Sequence, residues 1–403
     1  MNSGYRSNLL LGFVSGFFYL FLVGSLGILM RSSNWMLLPI PYVNILHAHS
    51  HTALLGWAFV MATSGILYFF PFQWKWHKFF QIGLATSIIG MFSAFLYQSY
   101  AVISISFSTF FVVFSYFYLS RILKEIPNNN FSNGLLRRGI IYFYISTLGI
   151  WVLGPASAIL GKSHWLYDSG IQFFLHFQIN GWLLFVVLGL IFKNIPKIYH
   201  PQKNILKFLD LGLILGISMI ILWISESIII YVINIISILF IFIGFLPILK
   251  SLIRYIREVK PKFSYILYLM IFSLIGKLIS HLFSLDLSFA LKIENNRELV
   301  IAFIHLILIG IVSTGFIWIV AQIYSTKKFK IFNIGFLIFI IGFYITEFVL
   351  VLQGFGLRNL IFTVEILWIF SVFMYIGMII MMISFIKSFK TKMILDYFKN
   401  LYL

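Results

Sequence analysis

Three histidines stand together in His47-Ala48-His49-Ser50-His51, and an apolar run, Thr52-Ala53-Leu54-Leu55-Gly56-Trp57, follows them. Three more, His176, His281 and His305, stand singly inside separate hydrophobic runs. Neutral imidazole binds haem iron, copper and zinc through a ring nitrogen. In hydrocarbon it also marks a functional site until a partner accounts for it. His47 and His51 are four apart and share a helix face, so H-x-x-x-H can pinch one metal ion. His49 lies about 200° round the wheel from His51, so H-x-H can serve two neighbouring compartments. The small and polar residues Ala48, Ser50, Thr52, Ala53 and Gly56 leave room for a porphyrin edge or for close helix contact.

The elements that carry these residues follow from composition. The chain has 403 residues, of which 61% are hydrophobic and 10% charged, and its mean hydropathy is +1.01. No soluble domain hides that much apolar surface. Runs of about 20 apolar residues, the length that crosses a ~30 Å core, predict an all-α polytopic bundle of twelve transmembrane helices. The runs are 8–30, 48–70, 77–97, 100–121, 139–160, 170–192, 207–225, 228–249, 264–284, 299–323, 331–353 and 361–386. Nothing resembles a linker to a second domain, so 1–403 reads as a single twelve-helix domain. The first run lacks a small-residue cleavage site and reads as a retained helix.

The net charge of +18 does not point to nucleic acid, because of where it lies. One set of alternate loops holds Lys75 and Lys78, then Arg121, Lys124, Arg137 and Arg138, then Lys193, Lys197, Lys203 and Lys207. It goes on through Lys250, Arg254, Arg257, Lys260 and Lys262, then Lys327, Lys328 and Lys330, to a tail with Lys387, Lys390, Lys392 and Lys399. The opposite set holds Arg31, Lys162, Lys292, Arg297 and Arg358. This is the positive-inside pattern of a multi-pass protein of the inner (cytoplasmic) membrane, with both termini cytoplasmic and lipid as its first partner. On that orientation His51, His176 and His305 lie roughly 5–10 Å below the outer surface, and His281 lies at a similar level on span 9.

Other polar residues join this layer. Gln172, His176, Gln178 and Asn180 on span 6 form either the wall of a metal site or an interhelical hydrogen-bond cluster. Lys277 and His281 share a face of span 9; Lys277 is placed to neutralise a haem propionate, to join a proton path, or to snorkel. Glu347 and Glu365 relay protons, pair with Lys277, or reach the outer interface, the last reading being preferred for Glu365. His77, His164 and His200 fall in loops and read as solvated. Cysteine is absent, which excludes disulfides, thiolate-held clusters and a C-x-x-C-H cytochrome module.

Twelve spans, cytoplasmic termini and histidines on spans 2, 6 and 10 resemble subunit I of the haem–copper oxidases and nitric oxide reductases. In that family a span-2 and a span-10 histidine hold the low-spin haem. The resemblance implies that His51, followed by Thr-Ala-Leu-Leu-Gly-Trp, and His305, in His305-Leu306-Ile307-Leu308-Ile309-Gly310, are the haem-iron ligands. It implies His49 and His176 as further cofactor contacts, and His47, His176 and His281 as a possible second metal site. The NnrS-type haem membrane proteins are similar too, with twelve spans and a comparable H-A-H motif. The likeness covers the whole chain in topology and about thirty residues in motif.

The departures limit what the likeness implies. The family's copper needs a span-6 histidine and an adjacent pair on span 7; span 7 has no histidine here, and span 10 has one where the family has two. The expectation is therefore a haem-binding relative, with b-type haem, copper left open, and electron transfer or diatomic-gas binding in place of proton-pumping oxygen reduction. If it turns over, it does so as an oxidoreductase of the terminal oxidase or nitric oxide reductase type. Electrons arrive from a quinol, a separate cytochrome or other respiratory subunits. A membrane transporter and a non-haem zinc or copper protein are the alternative classes.

Overall fold

The computed structural model describes residues 3–324, 330–357 and 363–401, with the side chains of 11–323, 330–357 and 363–387. Lys327, Lys328 and Arg358, and the side chains of Lys390, Lys392 and Lys399, lie outside the described residues. Among the described residues there is no strand, and twelve helices are long and apolar enough to cross a membrane. In order they are Leu11–Ser32, Tyr42–Phe69, His77–Gln98, Val102–Glu125, Phe131–Leu160, Trp165–Asn194, Ile205–Ser225, Ile228–Val259, Ser264–Phe283, Arg297–Ile323, Lys330–Gly354 and Thr363–Lys387. They are numbered below as spans 1–12. The chain is a multi-pass, all-α membrane protein.

The helix ends differ from the hydropathy limits where charge is satisfied locally. Span 5 begins at Phe131, not 139, because the Asn130 side chain caps it by accepting from the Asn133 N–H at 2.9 Å. Arg137 then donates to the carbonyls of Leu123 (3.0 Å) and Ile126 (2.6 Å) at the end of span 4. Cations suit that position, where helix carbonyls lack partners. Arg138 Nε donates to Asp210 at 2.7 Å, and the Tyr142 hydroxyl donates to the same carboxylate at 2.7 Å. Both arginines are thus inside the helix with their charge met.

The chain divides into two compact units, Met1–Tyr118 with Ile319–Leu403, and Leu119–Trp318. In the first, span 1 packs against spans 2 and 12, and span 11 lies along span 12. Its core is aromatic, with Phe13, Phe17, Phe59, Phe95 and Phe111 buried. Spans 11 and 12 touch backbone to backbone: a Cβ on Gly377 would lie 2.4 Å from the Phe339 nitrogen, and one on Gly342 would lie 2.7 Å from the Phe370 carbonyl oxygen. Such small-residue contacts hold helices together where lipid removes any hydrophobic drive between them.

In the second unit span 5 packs on span 6, span 7 on span 8, and span 9 on span 10, around Phe143, Phe177, Trp182, Phe185 and Phe192. Span 7 is broken into Ile205–Leu215 and Ser218–Ser225. At the break the Ile217 N–H turns to the Ile214 carbonyl at 3.2 Å, so the Leu213 carbonyl needs another donor.

Between spans 9 and 10 a short helix, Leu287–Lys292, is capped by Asp286. The Ser288 hydroxyl (2.5 Å) and the Phe289 N–H (2.8 Å) donate to its carboxylate, and they hold it below the usual carboxylate range. A depressed carboxylate stabilises above its unfolded value, about 3.9, and that contribution is lost as pH falls through the folded value. Amide protection factors across 287–292, with the intrinsic pH dependence of exchange divided out, are therefore expected to fall on acidification from pH 6 to pH 3. Asp286→Asn, an equally good cap, is expected to abolish that pH dependence.

Candidate functional site

Span 2 changes its winding at the histidines. It is α-helical over Tyr42–His51, π-helical over Thr52–Ala58, and α-helical again over Phe59–Phe69. His51 is the last residue before the wide turn. Its Nδ1–H donates to the His47 carbonyl at 3.0 Å, which leaves Nε2 to accept from the Tyr100 hydroxyl, also at 3.0 Å. The ring lies 4.2 Å from that of Phe95. His49 turns to the other side, where its Nδ1–H donates to the Val23 carbonyl of span 1 at 3.0 Å. Gly27 makes room for it, since a Cβ there would lie 3.4 Å from the His49 Cε1.

The H-x-H spacing thus sends its two rings to different neighbours. In the H-x-x-x-H pair the rings of His47 and His51 meet edge to face at 6.4 Å and 75°, and His47 packs on Tyr100 at 4.5 Å. Fixing Nδ1–H on a backbone carbonyl is how metal-ligating histidines are usually oriented, with Nε2 presented to the metal. His49 and His51 are both held this way. The donor set on span 2 therefore fits an axial ligand of haem iron.

In the second unit span 6 winds as a π-helix over His176–Leu183, and span 10 does so over Leu306–Ser313, directly after His305. On span 10 the wide turn is supported by hydroxyls reaching five residues back, Ser313 to the Leu308 carbonyl (2.7 Å) and Thr314 to the Ile309 carbonyl (3.0 Å). His176 has a different employment. Its Nε2–H donates to the Leu213 carbonyl at 2.8 Å, the group released by the break in span 7. Gly216 gives it space, since a Cβ there would lie 2.9 Å from the His176 Cε1. Gln178 accepts from Ser146 at 3.0 Å across spans 5 and 6. These are the interhelical bonds of the plainer reading, although the buried Nε2 of Gln178 and Oδ1 of Asn180 have no hydrogen-bond partner.

Among the described residues no three or more His, Asp or Glu side chains are grouped to hold a metal ion. His281 Nε2 is engaged by Lys277 Nζ at 2.8 Å. Glu347 is buried beside the charge of Arg31, in the same unit, and Glu365 is exposed. The three loop histidines are structural and half-buried, not solvated. His164 Nδ1 caps span 6 by accepting from the Leu166 N–H (3.2 Å), His200 Nε2–H donates to the Ile195 carbonyl (2.9 Å), and His77 packs against Phe72 and Tyr118.

One pattern escaped the reading by composition and spacing of single residues. His51-x-x-x-x-Gly56, His176-x-x-x-x-Gly181 and His305-x-x-x-x-Gly310 are the same motif on spans 2, 6 and 10. The copies lie 125 and 129 residues apart. Each copy coincides with a π-helical segment, and each glycine is buried. A Cβ on Gly56 would lie 3.1 Å from Ile88, and one on Gly181 2.7 Å from Tyr142. π-helical turns of this kind concentrate at functional sites. No protein-family model matches the chain, and no curated protein matches it.

Proposed function

We propose that this chain is an integral membrane haem-binding protein of the cytoplasmic membrane, related to subunit I of the haem–copper oxidases and nitric oxide reductases. In this reading His51 of the first unit and His305 of the second are each a haem-iron ligand. The observation that carries it is the H-x-x-x-x-G motif opening a π-helical segment behind each of these two imidazoles. The carbonyl anchoring of His51 Nδ1 supports it further. The His47 carbonyl fixes the ring's tautomer and direction, and the Tyr100 hydroxyl is the donor that an incoming ligand group displaces from Nε2. The rings of Phe95 and Tyr100 pack beside His51. A bound b-type haem would supply one-electron chemistry or, with one axial position open, binding of a diatomic gas. Its electrons would come from a quinol, a separate cytochrome or a partner respiratory subunit.

The break in span 7 favours a second reading, a transporter, since interrupted helices line substrate sites in that class. One optical spectrum of the purified protein separates the two. A Soret band that shifts on reduction, with the narrow features of six-coordinate haem, is the expected result. A colourless protein free of metal overturns the haem reading and leaves the transporter; a colourless one with stoichiometric zinc or copper leaves a non-haem metal protein.

A further inference from the structure

Lys277 is 2% exposed on span 9. Its Nζ donates to His281 Nε2 at 2.8 Å and lies 5.6 Å from the ring centres of both Phe245 and Phe303. His176, on span 6, is close enough to act electrostatically on Lys277 and on His281. Among the described residues no carboxylate lies within ion-pair reach of Nζ. The cluster is therefore one amine and two imidazoles, without an acid, in an apolar surround. A buried ammonium needs a counter-charge, and ring faces and a neutral imidazole provide only part of one.

We propose that Lys277 and His281 form a binding site for a carboxylate. The two nitrogens sit side by side, so one oxygen can take the ammonium while the other takes Nε2–H of His281 once its ring changes tautomer. Entry is from the His281 side, because that ring is half-buried where Lys277 is closed off. The carboxylate has two possible sources, a propionate of the haem proposed above or a free small acid. Only the first rests on the haem reading; the site itself lies within the second unit.

The test is a titration of the full-length protein in lipid nanodiscs with 13C-formate, followed by its infrared carboxylate band, before and after haem removal. One formate per chain is expected, with affinity falling about a hundredfold in Lys277→Met, since one member of a buried charged pair is removed. Formate that binds only after haem removal, with a propionate band that moves in haem-loaded Lys277→Met, assigns the site to the propionate. Formate that binds with or without haem assigns it to a free acid. The proposal is overturned if haem-free protein takes no formate and the propionate band stays put, or if formate binding is indifferent to Lys277→Met. Should that variant not assemble, Lys277→Gln replaces it. A chain that never holds haem defeats the haem reading alone, and the formate titration still decides this one.

Discussion

His51→Ala and His305→Ala are each expected to abolish the low-spin haem spectrum. Loss of an axial imidazole leaves the iron it held five-coordinate, so the narrow reduced bands disappear and carbon monoxide gains a binding position. Haem affinity should fall at least as far as on loss of a metal site's outer hydrogen bond, about 10–100-fold. His200→Ala is the control, because His200 donates to the Ile195 carbonyl and belongs to neither π-helical motif. Tyr100→Phe removes only the hydroxyl at His51 Nε2, and the spectrum should survive it. The measurement is the reduced-minus-oxidised spectrum of each purified variant. Wild-type spectra in both His51→Ala and His305→Ala would end the ligand assignment.

The second large effect is on assembly. A Cβ at Gly377 meets only backbone, at 2.4 Å from the Phe339 nitrogen and 2.5 Å from the Gly335 oxygen. Backbone has no rotamer to move, so spans 11 and 12 must part. Gly377→Ala is expected to destabilise by about 1–3 kcal/mol, the range for overpacking, and Gly377→Leu to prevent folding. Gly154 makes the contrasting case: it is exposed, within the helix of span 5, and nothing from another helix lies within 4 Å of its Cβ position. Gly154→Ala is expected to change stability by less than about 1 kcal/mol, because the gain in backbone entropy and helix propensity is opposed by the Pro155 ring, which crowds a Cβ on the residue before it. Thermal unfolding followed by tryptophan fluorescence reads both variants, and equal responses at the two positions would refute the packing argument.

The spans were legible in the sequence because length and hydropathy are all that a bilayer demands. What hydropathy misplaced were ends where a charge finds a local partner, as Arg137 does on the carbonyls of span 4 and Arg138 on Asp210. The histidines were legible as residue types within the spans, and the divergence of His49 from His51 as helical angle. The role of His176 was not. It depends on a carbonyl released by the break at Gly216–Ile217, which belongs to another helix and leaves no trace near position 176. The π-helical segments have no compositional signature either, since Thr52–Ala58 and Leu306–Ser313 read as ordinary apolar helix. Comparison of the chain with itself finds three of them, through the glycine five places after each histidine; the fourth, Ala156–Leu160, follows Pro155 and has no such motif.

Those wide turns have a geometric consequence. A π-helical turn spends one residue more than an α-helical one, so each acts as a single-residue insertion in an otherwise regular rod. Excising one residue from Leu306–Ser313 would restore the ordinary winding and turn everything before it by about 100°. His305 would then leave its present face while the C-terminal half of the span stayed where it was. The bearing of each imidazole around its helix is thus encoded in residue count as well as residue identity.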